Sequence, residues 1–367
     1  MFGDRAFRLG SLFGIRIGVD PSWFLVFVFI TYSIAGGFAK EHETWSAFGV
    51  WGAAITASLM FFGSILLHEL GHSVTSILLD VPVRSITLFL FGGAAELGAE
   101  PKRPRDEFLI AIAGPATSFL LSGVFGLVWV AVETTSPVGV VAGWLAIVNL
   151  GVAVFNMLPG FPLDGGRVLR SVLWRLLGSL ERATQWAGRV GIFVGSLFIA
   201  VGAAIAISTG NWLYGLFLGF MGWFLTRAAR ENVVRAVYAE RLRGVKVGAV
   251  MARDLPTIDG WATLEDAAKG PFAGGATSAA FVEEDDALVG VLTVARIAAV
   301  PQAKFAYHQV RQEMVPLTEL APIAPEVSLL VALKAMEREN GAVLLVKRGE
   351  ELLGVLTRED LGRVLRA

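Results

Sequence analysis

Six apolar stretches constrain the fold of this chain more than any other feature. A helix rises about 1.5 Å per residue, so a bilayer span needs about 20 apolar residues. The candidate spans are 22–38, 51–79, 108–132, 138–158, 188–207 and 212–225. Only 17% of the residues are charged, compared with about 25% in ordinary soluble domains. We therefore predict a polytopic α-helical membrane protein with about six transmembrane helices.

The apolar character ends near Arg227, after which charged residues reach the density of a soluble protein. We predict a membrane domain over 1–227, a helical connector over 228–244 and a soluble tail over 245–367. The net charge of −1 gives no indication of a nucleic-acid partner. The chain has no cysteine, which excludes disulfides and Cys-ligated metals and leaves His, Asp and Glu as candidate ligands.

Basic residues predict how the spans are oriented. The loops on one side of the predicted membrane are rich in Arg and Lys, whereas those on the other side hold only Lys40. The positive-inside rule then predicts a protein of the cell (inner) membrane with both termini in the cytoplasm. An even number of spans, such as six, is what two termini on the same side require. A cleaved signal peptide over the first span is the alternative. The orienting residues are Arg5, Arg8, Arg16, Arg84, Lys102, Arg103, Arg105, Arg167, Arg170, Arg175, Arg182, Arg189, Arg227 and Arg230.

Three ionisable residues, His68, Glu69 and His72, lie inside the second apolar stretch. Such side chains are costly in a bilayer, so their presence indicates function. Two histidines four residues apart share one face of a helix and can bind one zinc ion, with the adjacent Glu as general base. The alternative is a polar helix patch facing solvent, which the apolar surroundings disfavour.

Hydrolytic zinc usually has three protein ligands and one position for water. The third candidate ligand is Asp164, in a segment that follows the fourth span. Pro159 and Pro162 cannot continue a regular helix, so the span should break there. Broken backbone at membrane depth must be buried in protein or line a wet cavity. Asp164 could instead be an ordinary Asp-Gly turn residue, but the proline-broken segment favours a ligand.

These two motifs together resemble the site-2 protease family of intramembrane zinc metalloproteases. The first runs from His68 to His72, and the second from Asn156 to Gly166 with the Pro-Leu-Asp-Gly-Gly run at its end. The resemblance covers roughly residues 1–230. It implies one Zn²⁺ per chain held by His68, His72 and Asp164, with Glu69 as acid and base.

The resemblance implies further site residues. Asn156 matches an Asn that helps to hold substrate or the developing oxyanion. Phe91, Gly92 and Gly93 begin a run that matches a Gly-rich re-entrant β-hairpin, whose edge pairs with unwound substrate; a simple turn is the alternative. Ser118 departs from the family, which commonly carries Asn there.

The soluble tail contains an internal repeat. The run Gly-Val-Leu-Thr begins at Gly290 and recurs at Gly354, 64 residues later. The pairs Val250-Met251 and Glu313-Met314 lie 63 residues apart, and two such similar offsets indicate a duplication. The tail resembles a tandem pair of cystathionine-β-synthase (CBS) domains, an α/β fold, over 245–300 and 301–367. In the second copy the resemblance implies that Thr357 and Asp360 hold the ribose of an adenine nucleotide. The first copy has a cation, Arg296, in place of the carboxylate. The alternative is a structural pair that mediates a homodimer or braces the membrane domain.

The leading hypothesis is a zinc endopeptidase that cleaves transmembrane segments of membrane proteins in regulated intramembrane proteolysis, with the CBS pair as a cytosolic regulatory module. The alternative is a membrane metal transporter or sensor with CBS domains. A transporter needs ligands but no base, so Glu69 favours the protease. A catalytically silent scaffold is a third reading, which the intact motifs disfavour. Gly191/Gly195 and Gly215/Gly219 predict close helix packing or a homodimer contact.

Overall fold

The structure is a computed structural model that describes residues 6–89, 92–275, 277–338, 341 and 343–366. The chain forms two compact units, Met1–Val234 and Arg235–Ala367. The helices of the first unit, the last of which continues beyond it, are α1 (Pro21–Glu41), α2 (Ala47–Leu78), α3 (Pro104–Ala131), α4 (Pro137–Asn156), α5 (Asp164–Leu177), α6 (Leu180–Thr209) and α7 (Trp212–Gly244).

Five of the described helices, α1, α2, α3, α4 and α6, are long and apolar enough to cross a membrane. They coincide with the first five predicted spans, so the prediction of a polytopic helical membrane region is confirmed. The sixth predicted span and the separate connector form one continuous helix, α7, because residues 226–243 contain neither Pro nor Gly to interrupt it. The count of six spans stays a prediction.

The first unit also contains a four-stranded sheet. Its strands, in the order β1-β2-β3-β4, are β1 (Phe7–Leu12), β2 (Ile15–Val19), β3 (Val83–Phe89) and β4 (Gly92–Leu97). Strands β3 and β4 are antiparallel and form the predicted hairpin, whereas β2 pairs in parallel with β3. The strands β1 and β2 were not predicted. Ile15 and Ile86 of the sheet pack on Leu70 of α2, so the sheet is fixed to the helix that carries the histidines.

The chain breaks between α4 and α5 as the prolines predict. Helix α5 has 14 residues, or about 21 Å, which is too short to cross the bilayer. A Cβ on Gly165 would overlap the carbonyls of Met157 and Leu158, and one on Gly166 would overlap the backbone of Gly160. These two glycines therefore allow α5 to fold back tightly on the broken segment.

The second unit contains two similar halves. The strands and helices that follow α7 are β5 (Thr257–Asp259), α8 (Leu264–Lys269), β6 (Ala279–Glu284), β7 (Ala287–Thr293), α9 (Val294–Ala299), α10 (Val310–Glu313), β8 (Val315–Pro316), β9 (Pro322–Ile323), α11 (Leu329–Arg338), β10 (Val343–Arg348), β11 (Glu351–Thr357) and α12 (Arg358–Arg366). The sheets have the orders β5-β6-β7-β8 and β11-β10-β9.

The hairpins β6–β7 and β10–β11 are the structural form of the sequence repeat. Each has a bulge at the equivalent position, after Val282 and after Val346. Each hairpin ends in a Thr, Thr293 or Thr357, that precedes a helix. Buried side chains from both hairpins form a shared apolar core that includes Phe281 with Leu345 and Val355. The two repeats therefore pack as one module.

Candidate active site

Three side-chain atoms converge at the centre of the first unit. His68 Nε2 lies 3.2 Å from His72 Nε2, and Asp164 Oδ2 lies 3.2 Å and 3.1 Å from these two nitrogens. The imidazoles come from successive turns of α2, and the carboxylate comes from the first residue of α5. Both histidines are buried, and Asp164 is largely so. The structure thus brings together the three residues that the sequence predicted.

Each imidazole is oriented through its other nitrogen. His68 Nδ1 lies 2.8 Å from Ser118 Oγ, and His72 Nδ1 lies 2.6 Å from the Ile110 carbonyl oxygen. A carbonyl can only accept, so the Nδ1 of His72 carries the proton and its Nε2 keeps a lone pair. The Ser118 hydroxyl can accept in the same way. Metal-binding histidines characteristically have such partners, which set the tautomer and the ring orientation.

Helix α3 approaches the imidazoles closely because it carries a glycine there. A Cβ on Gly114 would overlap the Nε2 atoms of His72 and His68. On the α2 side of this helix contact, a Cβ on Gly71 would overlap Thr117 Oγ1 of α3 and lie 2.9 Å from the Ala113 carbonyl oxygen. These two glycines let α2 and α3 pack with backbones in near contact.

A buried ion pair holds α5 in place. Arg170 Nε donates to Glu107 Oε1 at 2.6 Å, and the Arg170 guanidinium lies 5.3 Å from the centre of the Phe161 ring. Glu107, in the first turn of α3, is only 1% exposed. The pair therefore ties the helix that carries Asp164 to the helix that orients both histidines.

A cavity of about 1180 Å³ opens onto the three atoms. Glu69 and Asn156 line it, together with Gly92 and Gly93 of β4. Apolar side chains of α2, α4 and α7 form much of the remaining wall. A Cβ on Gly93 would overlap the Glu69 side chain, so the glycine permits the hairpin to lie against this carboxylate. Phe91 lies outside the described residues.

The three converging atoms fit a zinc ion. Tetrahedral zinc with ligands at about 2.0–2.1 Å has neighbouring ligand atoms about 3.3 Å apart. The spacings of 3.1 to 3.2 Å match this value closely. Two imidazoles and one carboxylate are also a donor set found in catalytic zinc sites. The residues present therefore suit a hydrolytic zinc centre.

Comparison with known proteins agrees with this geometry. The model of Peptidase family M50 matches residues 56–140 and 131–198, and that of the CBS domain matches residues 310–367. The putative zinc metalloprotease Rip3 of Mycobacterium tuberculosis H37Rv is 34% identical over 365 residues, which cover 98% of this chain and 93% of that protein. The chain belongs to peptidase family M50.

Two further proteins are similar to this chain, one over nearly its whole length and one over part of it. The putative zinc metalloprotease sll0528 of Synechocystis sp. PCC 6803 is 30% identical over 367 residues, covering 99% of this chain and 96% of that protein. The solved structure of a site-2 protease from Methanocaldococcus jannaschii aligns with this chain at 25% identity and a TM-score of 0.43. The alignment covers 62% of this chain and 95% of that protein's chain. As an M50 member this chain is a zinc metalloendopeptidase of the site-2 protease type, and its apolar helices make it a multi-pass membrane protein.

The residues with a predicted nucleotide role are buried in the second unit. Thr357 caps α12, since its Oγ1 accepts from the Asp360 N–H at 3.3 Å while its own N–H donates to Asp360 Oδ2 at 2.8 Å. Ser278 Oγ of the first repeat donates to Asp360 Oδ1 at 3.1 Å, and Arg363 also pairs with this oxygen. A Thr-x-x-Asp motif is therefore a helix cap here, and a ribose would have to compete for its carboxylate. The nucleotide role stays a prediction.

Several residues of the site were not predicted from the sequence. Ser118 was noted only as a departure from the family, and its contact with His68 was not foreseen. Any residue has a carbonyl, so no sequence signal identifies Ile110 as a partner of His72. Arg167 was counted only as an orienting charge, whereas the structure places it in the wall of the cavity. Gly114 could have been found from its position beside Pro115 in an apolar helix.

Proposed function

We propose that the chain cleaves peptide bonds within the transmembrane segments of membrane proteins, in regulated intramembrane proteolysis. The observation that carries this proposal is the triangle of His68 Nε2, His72 Nε2 and Asp164 Oδ2, with Glu69 in the same cavity. In this proposal the three atoms are the zinc ligands. Asn156, which lines that cavity, completes the catalytic group.

The chemistry is divided between the ion and the side chains. A zinc ion held by His68, His72 and Asp164 would supply a Lewis acid that polarises the scissile carbonyl and lowers the pKa of water toward neutrality. Glu69 takes a proton from the attacking water and passes it to the amine that leaves. Asn156 donates a hydrogen bond to the oxygen on which negative charge develops, an interaction of the kind worth about 3 kcal/mol.

The sheet edge provides a way to hold the substrate. A transmembrane helix hides its peptide bonds in its own hydrogen bonds, so it must unwind before it can be cut. Strand β4 is at the edge of its sheet, and Gly92 and Gly93 face the same cavity as Glu69. We expect an unwound substrate segment to pair with this edge, because a free edge offers both donors and acceptors.

The proposed setting is the inner membrane, with both termini in the cytoplasm. The support is the positive-inside distribution of basic residues described above. The CBS module is proposed as a regulatory element on that same side, which binds an adenine nucleotide through Thr357 and Asp360. A homodimer, through the module or the membrane helices, is also proposed.

Substrate trapping tests the proposal. The zinc-loaded Glu69→Gln protein is used to capture proteins in its native membrane, and mass spectrometry identifies the captured spans. The wild-type protein in liposomes should cut those spans within their apolar segments, and Glu69→Gln should keep its zinc and cut none. Glu133→Gln changes an exposed carboxyl between α3 and α4 that does not line the cavity, and it should cleave normally. A Glu69→Gln protein that still cleaves would overturn the assignment.

A further inference from the structure

One cation in the wall of the catalytic cavity has no role in the mechanism above. Arg167 lies three residues after Asp164 on α5, and positions three apart share a helix face. It lines the cavity together with Glu69, Asp164 and Asn156. It is the only Lys or Arg among the described residues that line this cavity.

Among the described residues, Arg167 differs from its neighbour Arg170 in its contacts. Arg170 is engaged by Glu107 and Phe161. Within the described part of the chain, Arg167 makes no hydrogen bond and no ion pair within 4.0 Å. Burial lowers the pKa of Arg167, and the charges of Glu107 and Asp164 oppose that effect. A guanidinium stays protonated in proteins, so this is a partly desolvated cation with unused donors.

Hydrolysis would create an anion in this same place. The water oxygen bonds to the carbonyl carbon, the C–N bond breaks, and the protons of the water leave one half as a carboxylic acid and the other as an amine. The acid then gives its proton to the product amine, which becomes an ammonium ion, and once the ammonium half has left, the carboxylate half remains in the cavity. The carboxylates of Glu69 and Asp164 already balance the charge of a divalent ion, so a product carboxylate would be an unbalanced negative charge in an apolar cavity. Such a charge is costly without a counter-ion.

We propose that Arg167 is the counter-ion that binds the carboxylate created by peptide hydrolysis. The planar guanidinium fork suits a carboxylate, which it can bind through two parallel hydrogen bonds. Its position one turn from Asp164 keeps it close to the bond that is cut. This role rests on the proposed proteolytic function and adds a product-binding site to it.

The test compares two probe peptides on the zinc-loaded, full-length protein in nanodiscs. Both are short Leu/Ala peptides of identical sequence; one ends in a free carboxylate and the other in a carboxamide. The wild-type protein should bind the acid more tightly than the amide. Arg167→Gln should reduce this preference by about tenfold, a loss typical of one charge-assisted contact, while its affinity for the amide stays within about twofold.

Two variants separate the proposed contact from damage to the fold. Arg175→Gln removes the same charge from an exposed position on the same helix, and it should keep the wild-type preference. Arg167→Lys keeps the charge without the planar fork and should retain part of the preference. An unchanged preference in Arg167→Gln, or an equal loss for both peptides, would overturn the role of Arg167.

A failure of the proposed role of Arg167 can be told apart from a failure of the proposed proteolytic function. Cleavage of trapped spans is measured with the wild-type protein from the same preparations. Absence of cleavage together with a preference that depends on Arg167 would contradict the proteolytic proposal and leave an anion site beside the metal. Normal cleavage with an unchanged preference in Arg167→Gln would contradict the role of Arg167 alone.

Discussion

Replacement of Ser118 by Ala should weaken zinc binding without a change of any ligand. Ser118 is 1% exposed, and its Oγ lies 2.8 Å from His68 Nδ1. The substitution leaves a buried imidazole N–H without an acceptor, which costs about 1–3 kcal/mol. Loss of such a partner typically lowers metal affinity by about 10–100-fold, or about 1.4–2.7 kcal/mol, so the two figures agree.

The assay is zinc competition against a chelator of known affinity, on purified protein in detergent. Ser122→Ala is the matched control, because Ser122 is one turn further along α3 and donates to the Ala146 carbonyl oxygen at 2.7 Å, away from the histidines. Ser118→Ala should raise the zinc Kd by at least tenfold, and Ser122→Ala should leave it near the wild-type value. A Kd for Ser118→Ala within twofold of the wild type would refute the reasoning.

Three further substitutions test other parts of the structure. Gly114→Ala should lower zinc affinity by more than tenfold in the same competition assay, because its Cβ would overlap the imidazoles of the proposed zinc site. Gly123→Ala, with open space around it, should leave the affinity unchanged. Glu107→Ala should lower the free energy of unfolding by about 3 kcal/mol in denaturant titrations, since it leaves Arg170 unpaired in a buried setting. A decrease below about 1 kcal/mol would contradict the role of the Arg170–Glu107 pair in holding α5. Added adenine nucleotide should raise the unfolding temperature of the wild type but not of Asp360→Asn; an unmoved wild type would contradict nucleotide binding at the CBS module.

The sequence predicts the features of this protein that depend on short-range patterns. The apolar stretches locate five spanning helices to within about eight residues at each end, because hydrophobic length is a local property. His68 and His72 are equally local, since a spacing of four places both on one helix face. Asp164 was found through the prolines that precede it, which mark a break where a carboxylate can enter the membrane domain.

Features that depend on packing between distant segments could not be read in this way. The strand β1 is exposed along its length, so it has no buried alternation that would mark it as a strand. The helix α5 is short and amphipathic, and hydropathy alone does not identify it. The contacts of Ile110, Ser118 and Gly114 with the histidines need the relative placement of α2 and α3, which no single stretch of sequence specifies.

The most direct test of the central claim is the position of zinc in crystals of the full-length protein. Anomalous difference maps above and below the zinc absorption edge should show one zinc peak in the membrane domain, at bonding distance from His68 Nε2, His72 Nε2 and an Asp164 carboxylate oxygen. The Asp164→Asn protein should bind zinc more weakly in solution. A zinc peak away from these three atoms, or one that Asp164 does not coordinate, would contradict the account.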